Sequence, residues 1–322
     1  MVTYGKVFKG FILENFTMTV INMLSFGKEG VAVADEQSST PNRKYNVAQK
    51  LRMLDNGVVY GGSGPSDILS SIYSEILKVI NEAKQGRANL PLGELFTNAE
   101  QASSDYFIRF KDRFLRKNYG LGFQEFLAGR LESGLPIHDS SRERISQTLS
   151  GLDQDLAHGF LIGGIEEKGF KIYMETSQYP GVISSRPYAS IGSGSEESER
   201  VISGYVESLS REQRESIPRE EGLAKVIEAT NASSRLNVGV GGAPSIVYIR
   251  EGEVIIPDEA RCIKATEIVT GLTSGLLTKD FSYQALSDLI YGKKNPLIIE
   301  EEMKNNAKDW NKLDRIFRGY KE

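Results

Sequence analysis

Thr19-Val-Ile-Asn-Met-Leu-Ser-Phe26-Gly-Lys-Glu-Gly30-Val-Ala-Val-Ala-Asp35 sets the character of the chain. Residues 19–26 are rich in apolar and β-branched side chains and read as a strand. Residues 27–30 carry two glycines around Lys-Glu and read as a turn, and residues 31–35 return as a second strand. Further on, Lys50-Leu-Arg-Met-Leu54 alternates, Asp55-Asn-Gly57 turns, and Val58-Val-Tyr60 runs into Gly61-Gly-Ser-Gly64. An Asn-Gly pair between two short apolar runs is a strong hairpin signal. The opening is β throughout.

Helical periodicity takes over next. Ile68, Leu69, Ile72, Ile76, Val79 and Ile80 recur on one helix face, with Ser66 placed to cap it. Residues 93–133 read as helical, broken near residues 118–122. Ser140-Ser-Arg-Glu143 has the form of a capping box ahead of the stripe Ile145, Leu149, Leu152 and Leu156. Residues 160–165 and 170–176 return to strands, as do residues 188–191 before Gly192-Ser-Gly-Ser195. Pro218 is placed as the first residue of a helix, residues 245–250 and 253–256 form a last hairpin, and everything after Pro257 reads as helical. Strands, helices, strands, helices, strands in blocks predict an α+β fold, with two antiparallel sheets between helical layers, in place of alternating β-α-β units.

Composition narrows the function. Thirty-nine basic against 43 acidic side chains argue against a general binder of nucleic-acid phosphates. A single cysteine, Cys262, forms no internal disulfide and fits a reducing compartment, where it reads as a packing residue. With two histidines, His138 and His158, no histidine-rich metal site can be assembled, and the two read as a loop residue and a cation at a helix end. No stretch approaches a membrane span and none has the form of a signal peptide, so the expected location is cytoplasmic. The glycine-rich stretches at 61–64, 192–195 and 239–242 lack the context of phosphate-binding loops, because 192–195 runs straight into Glu196 and Glu197 and neither of the others has the lysine or helix required. They suit close backbone approach to a substrate or to neighbouring chain.

The more specific signal is a constellation: Thr19 opens one strand, Asp35 ends the next sixteen positions on, Lys50 starts the third, and Gly61 ends the fourth. With Phe160-Leu-Ile-Gly-Gly-Ile165 and Tyr188-Ala-Ser-Ile-Gly-Ser-Gly-Ser195, this pattern resembles the proteasome β-subunit family and the related bacterial HslV-type peptidase over residues 19–84 and 140–257. The resemblance implies a four-layer αββα sandwich of the N-terminal-nucleophile (Ntn) hydrolases over residues 19–257. To that it adds a helical insertion at about 87–139 and a helical C-terminal extension at 258–322.

It also implies a mechanism without metal or cofactor. Thr19 is the nucleophile and its own α-amine the base; Asp35 and Lys50 support the charge, the Gly61 N–H binds the oxyanion, and Ser193 assists proton transfer. Asn237 stands where the family places an aspartate, and Val240 where it places a serine. Ser38, Ala48, Val59 and Ser63 would line a pocket for a medium-sized apolar residue before the scissile bond. The implied substrate is a peptide or unfolded protein, the implied assembly a homo-oligomer with room for an ATPase regulator, and no nucleic acid or membrane is involved. The same acyl-Thr19 ester passed to an amine would make a peptide ligase, and the changes at Asn237 and Val240 leave open a non-catalytic scaffold subunit.

Thr19 has a free amine only once residues 1–18 are gone. They read either as a propeptide or as an over-extended start, synthesis beginning at Met18 with Met18 then removed. Thr17 is the rival nucleophile, two residues too far from Asp35.

Overall fold

The hairpin at the start of the chain forms as its alternation requires. The computed structural model describes residues 19–40, 43–45, 49–167, 169–177, 179–236 and 240–319. Strands β1 (Ile21–Ser25) and β2 (Gly30–Asp35) pair antiparallel from Ile21 opposite Ala34 to Ser25 opposite Gly30. The strands that follow are β3 (Ser38–Thr40), β4 (Arg43–Tyr45), β5 (Leu51–Asp55), β6 (Val58–Ser63), β7 (Gly159–Glu166), β8 (Gly169–Thr176), β9 (Tyr179–Ile183), β10 (Tyr188–Ile191), β11 (Pro244–Arg250) and β12 (Glu253–Ile255). They build two five-stranded sheets, ordered β10-β1-β2-β11-β12 and β5-β6-β7-β8-β9, plus the short β3-β4 pair. The fold is mixed α and β with two antiparallel sheets.

The helices are α1 (Ser66–Lys84), α2 (Leu92–Tyr119), α3 (Phe123–Ala128), α4 (Asp139–Asp155), α5 (Ser195–Ser208), α6 (Arg211–Glu215), α7 (Arg219–Leu236), α8 (Glu259–Thr273), α9 (Lys279–Leu286), α10 (Pro296–Asn306) and α11 (Trp310–Phe317). A π-helical turn, Ser287–Tyr291, continues α9. Contacts divide the chain into two compact units: residues 64–158 with 175–181, and residues 19–63, 159–174 and 182–319. In the first, α1 and α2 pack together, and Leu115, Leu121, Ile145, Leu149, Leu152 and Leu156 form the core of α2 and α4. The expected break falls at Gly120, whose left-handed backbone ends α2.

Three helix start signals differ from expectation. Pro65, not Ser66, is the N-cap of α1, and no side chain caps that end. For α4 the cap is His138, whose imidazole accepts from the Ser140 amide, and Ser140 lies inside the helix. A ring nitrogen accepts an amide proton as an N-cap hydroxyl does. Pro218 is displaced by one position in the same way: its carbonyl accepts from the Gly222 amide and α7 begins at Arg219.

In the second unit the period-2 pattern sorts the side chains. Ile21, Met23, Ala32, Ala34, Ile191, Val247 and Ile249 face Leu51, Val59, Leu161, Phe170 and Ile172 of the other sheet. Leu24, Val31, Val33, Tyr188, Ile246 and Tyr248 face α5, α7 and α8. Residues after 258 join this same core, with Leu313 buried and Trp310, Ile316 and Phe317 packed against it. Among the described residues no helix is long and apolar enough to cross a membrane.

Glycine makes the sheet-to-sheet distance possible. A Cβ on Gly30 would stand 2.3 Å from the Phe170 ring, and one on Gly163 would stand 2.7 Å from the same ring. Gly30→Ala is therefore expected to lower the thermal midpoint by an overpacking cost of about 1–3 kcal/mol. Adding Phe170→Leu should recover most of the loss in calorimetry, and an unchanged midpoint in the single variant would contradict this packing.

Candidate active site

The last residue of β2 collects the polar groups around it. Asp35 is 2 % exposed and Lys50, just before β5, is 7 % exposed. Lys50 Nζ donates to Asp35 Oδ1 at 2.8 Å and to the Gln37 carbonyl at 2.7 Å. The Val20 amide donates to that same Oδ1 at 2.8 Å, and the Gly241 amide to Oδ2 at 3.2 Å. A buried ion pair holds only when its remaining hydrogen-bonding positions are filled. Here backbone groups from three segments fill them.

Burial is the largest influence on both charges: it lifts Asp35 above the usual carboxylate range and lowers Lys50 below the usual ammonium range. The ion pair draws each part of the way back, and the amides of Val20 and Gly241 add to the pull on Asp35.

Thr19 stands next to this pair, 1 % exposed. Its nitrogen donates to Ser193 Oγ at 3.2 Å, and its carbonyl accepts from the Gly194 amide at 3.2 Å. Val20, the following residue, shares Asp35 Oδ1 with Lys50, which places Lys50 Nζ within two hydrogen bonds of the Thr19–Val20 peptide. Gly192 allows the Ser193 turn to close over Thr19. Its φ is +100°, and a Cβ there would fall 2.1 Å from the Thr19 carbonyl oxygen. That same Cβ would lie 3.1 Å from Ser63 Oγ, so Ser63 borders the turn.

Of the expected site residues, the structure brings together Thr19, Asp35, Lys50, Ser193 and Ser63. Two others lie on β6. Gly61 sits inside β6, opposite Leu51 on one side and Leu161 on the other, with Ile21 Cγ2 only 2.8 Å from where its Cβ would be. Gly61 serves the close approach of the sheets beside Ile21, two residues from Thr19. Val59 is 0 % exposed and lies among the residues packed between the sheets. Strand alternation decides both, since it turns these positions toward the inter-sheet core. Ala48, Asn237 and Thr17 lie outside the described residues, as does the segment 1–18; Ser38 lies in β3, with its backbone opposite Tyr45. Sequence reasoning missed the Val20 and Gly241 amides and the Gln37 carbonyl as partners of the pair. The glycine stretch 239–242 was the one available signal for Gly241.

A second polar cluster lies in the helical unit, in a cleft of about 570 Å³ lined by Glu100, Ser103, Phe107, Lys111, His158 and Glu175. His158 is not the helix-end cation expected from its position. It stacks on Phe107 with centroids 4.2 Å apart, its Nε2 lies 3.3 Å from Ser103 Oγ, and burial lowers its pKa to about 4. Glu175 Oε2 has no hydrogen-bond partner among the described residues, and burial beside Glu100 raises its pKa to about 8. Cys262 is buried one turn into α8, with its thiol pushed up to about 12, so it packs and does not react. No group of three or more His, Cys, Asp or Glu among the described residues could hold a metal.

No model of a known protein family matches the chain, and no curated protein is significantly similar to it.

Two outcomes follow from these geometries. Asp35→Ala leaves the Lys50 ammonium buried without its anion and should cost about 3–5 kcal/mol in denaturant unfolding. Asp35→Leu combined with Lys50→Met should restore much of that loss. The cleft predicts a pH dependence. Below its ordinary value of 6.5, His158 takes up a proton in the unfolded chain that the fold rejects down to about 4, so its contribution rises with pH over that window. Glu175 keeps a proton in the fold up to about 8 that the unfolded chain loses above 4.5, so its contribution falls with pH. The two oppose each other from 4.5 to 6.5, and from 6.5 to 8 only Glu175 acts. The thermal midpoint should fall between pH 6.5 and 8, and Glu175→Gln should flatten that fall.

Proposed function

We propose that this chain is a threonine-type amide hydrolase of the N-terminal-nucleophile class, acting on peptides or unfolded protein through an acyl ester on Thr19. The observation that carries the reading is the convergence of Thr19 and Ser193 with the buried Asp35–Lys50 pair. The four-layer αββα sandwich belongs to the same reading. A helical layer and two sheets lie within one unit.

The chemistry requires scission of the Met18–Thr19 bond. The freed α-amine of Thr19 titrates near pH 8 in an ordinary setting and is a usable base at neutral pH. It takes the proton of Thr19 Oγ as that oxygen attacks the substrate carbonyl carbon. It returns the proton to the leaving nitrogen as the C–N bond breaks. Water, deprotonated by the same amine, then hydrolyses the ester. A cationic Lys50 close by favours the neutral amine and the developing alkoxide, and Asp35 holds Lys50 in place. Ser193 Oγ, against the Thr19 nitrogen, orients the amine lone pair. The β-branch of Thr19 restricts χ1 and so limits the directions of attack.

One observation favours a non-catalytic relative instead: Val240, where the family carries a serine, is buried and apolar, 3 % exposed. Turnover separates the two readings. The form beginning at Thr19 is expected to release a fluorophore from blocked peptide amides. Thr19→Ala should lower the rate by about a thousandfold or more, while Thr19→Ser retains measurable turnover. Added amine acceptors that divert product to a ligated peptide would assign the transfer variant of the same chemistry. Equal turnover by Thr19→Ala would overturn the mechanism, and no turnover by the unaltered form would favour the scaffold.

A further inference from the structure

We infer that Ser233, through a buried chain of hydroxyl and amide groups that starts at Asn22, is a positioning residue that sets the Ser193 turn against Thr19. The inference rests on the reading of Thr19 as nucleophile.

The helix-facing side of the first sheet is apolar except for one polar seam. Asn22 on β1, Ser198 on α5, and Thr230 and Ser233 on α7 are all buried within it. Their hydrogen bonds form one connected network. Ser190 Oγ donates to Asn22 Oδ1 at 2.7 Å. The two Asn22 amide protons go to Thr230 Oγ1 at 2.9 Å and Ser198 Oγ at 3.2 Å. Thr230 passes its proton to the Val226 carbonyl at 3.0 Å. Ser233 Oγ donates to the Gly194 carbonyl at 2.6 Å and lies 2.7 Å from Ser198 Oγ, whose single proton is shared between Ser233 Oγ and the Ala229 carbonyl at 3.2 Å. Every proton in the seam is used, and the chain ends on the backbone of the catalytic turn.

Gly194 is the residue this fixes. Its carbonyl accepts from Ser233 of α7 at 2.6 Å and from the Ser198 amide at 3.3 Å, and its amide is committed to the Thr19 carbonyl. Neither Gly192 nor Gly194 has a side chain with which to anchor the turn, so the hydroxyl from α7 adds a side-chain restraint just beyond Ser193 to the backbone bonds already there. Stability alone does not call for such a seam, because apolar groups of the same shape fill a core about as well as paired polar ones. What directional hydrogen bonds add is a single arrangement. Any looseness in the turn is passed directly to Ser193 Oγ and hence to the orientation of the Thr19 nitrogen.

The test has two readouts. In the full chain, Ser233→Ala should speed hydrogen exchange at the amides of Thr19 and Gly194 by about tenfold, leaving the β2–β11 ladder protected. In the form beginning at Thr19, the same variant should lower kcat by about tenfold with KM unchanged. Ser198→Ala, which removes the hydroxyl against Ser233 but leaves Ser233 in place, should give a smaller effect of the same pattern and serves where Ser233→Ala folds poorly. Ser282→Ala, at a buried serine of α9 whose hydroxyl has no partner among the described residues, should change neither readout. Exchange in Ser233→Ala and Ser198→Ala indistinguishable from that in Ser282→Ala would overturn the inference. If no form hydrolyses an amide, the functional reading fails, while the exchange data still decide whether Ser233 positions the turn.

Discussion

A lysine ammonium withdrawn from water must be matched, and around Lys50 that requirement organises the end of the first sheet. Asp35 supplies the countercharge, and the Gln37 carbonyl and the amides of Val20 and Gly241 satisfy what remains. These groups come from the entry to β1, the exit of β2, the approach to β5 and the approach to β11. None can shift without leaving charge or polarity buried and unpaired, which costs more than a typical surface interaction returns. Thr19 inherits its position from that arrangement because Val20 is one of its members.

The apolar architecture holds the polar centre in place. Small residues on the inner face, Gly30, Ala32, Ala34 and Gly163, let the two sheets close on Phe170, Met23 and Leu161. On the other face, α7 is buried along most of its length and carries both core side chains and the serine that reaches the Ser193 turn. One helix thus serves packing and placement together. Its buried positions include Leu223, Val226 and Ile227 as well as Thr230 and Ser233.

Much of this was legible from residue patterns. Alternation in residues 19–35 and 50–60 gave the two opening hairpins, and the 3.6 period of Ile72, Ile76 and Ile80 gave α1, because both signals are local. Thr19, Asp35, Lys50 and Gly61 stood out together by their places on successive strands, and Ser193 entered only through the family resemblance. For Gly61 and Val59 a site and a core position look alike in residue type, and only strand pairing shows that both face the other sheet. The roles of Val20, Gln37 and Gly241 were hidden because backbone groups leave no signature in residue type. His158 looked like an exposed cation because its neighbours Ser103 and Phe107 are distant in sequence.

The account depends on a free amine at Thr19. The most direct measurement is the intact mass of the protein produced from its own gene and purified without added protease. The account predicts a chain beginning at Thr19 in the form that turns over peptides. A fully active protein whose mass still includes the first eighteen residues would contradict it, since Thr19 would then have an amide nitrogen in place of a base.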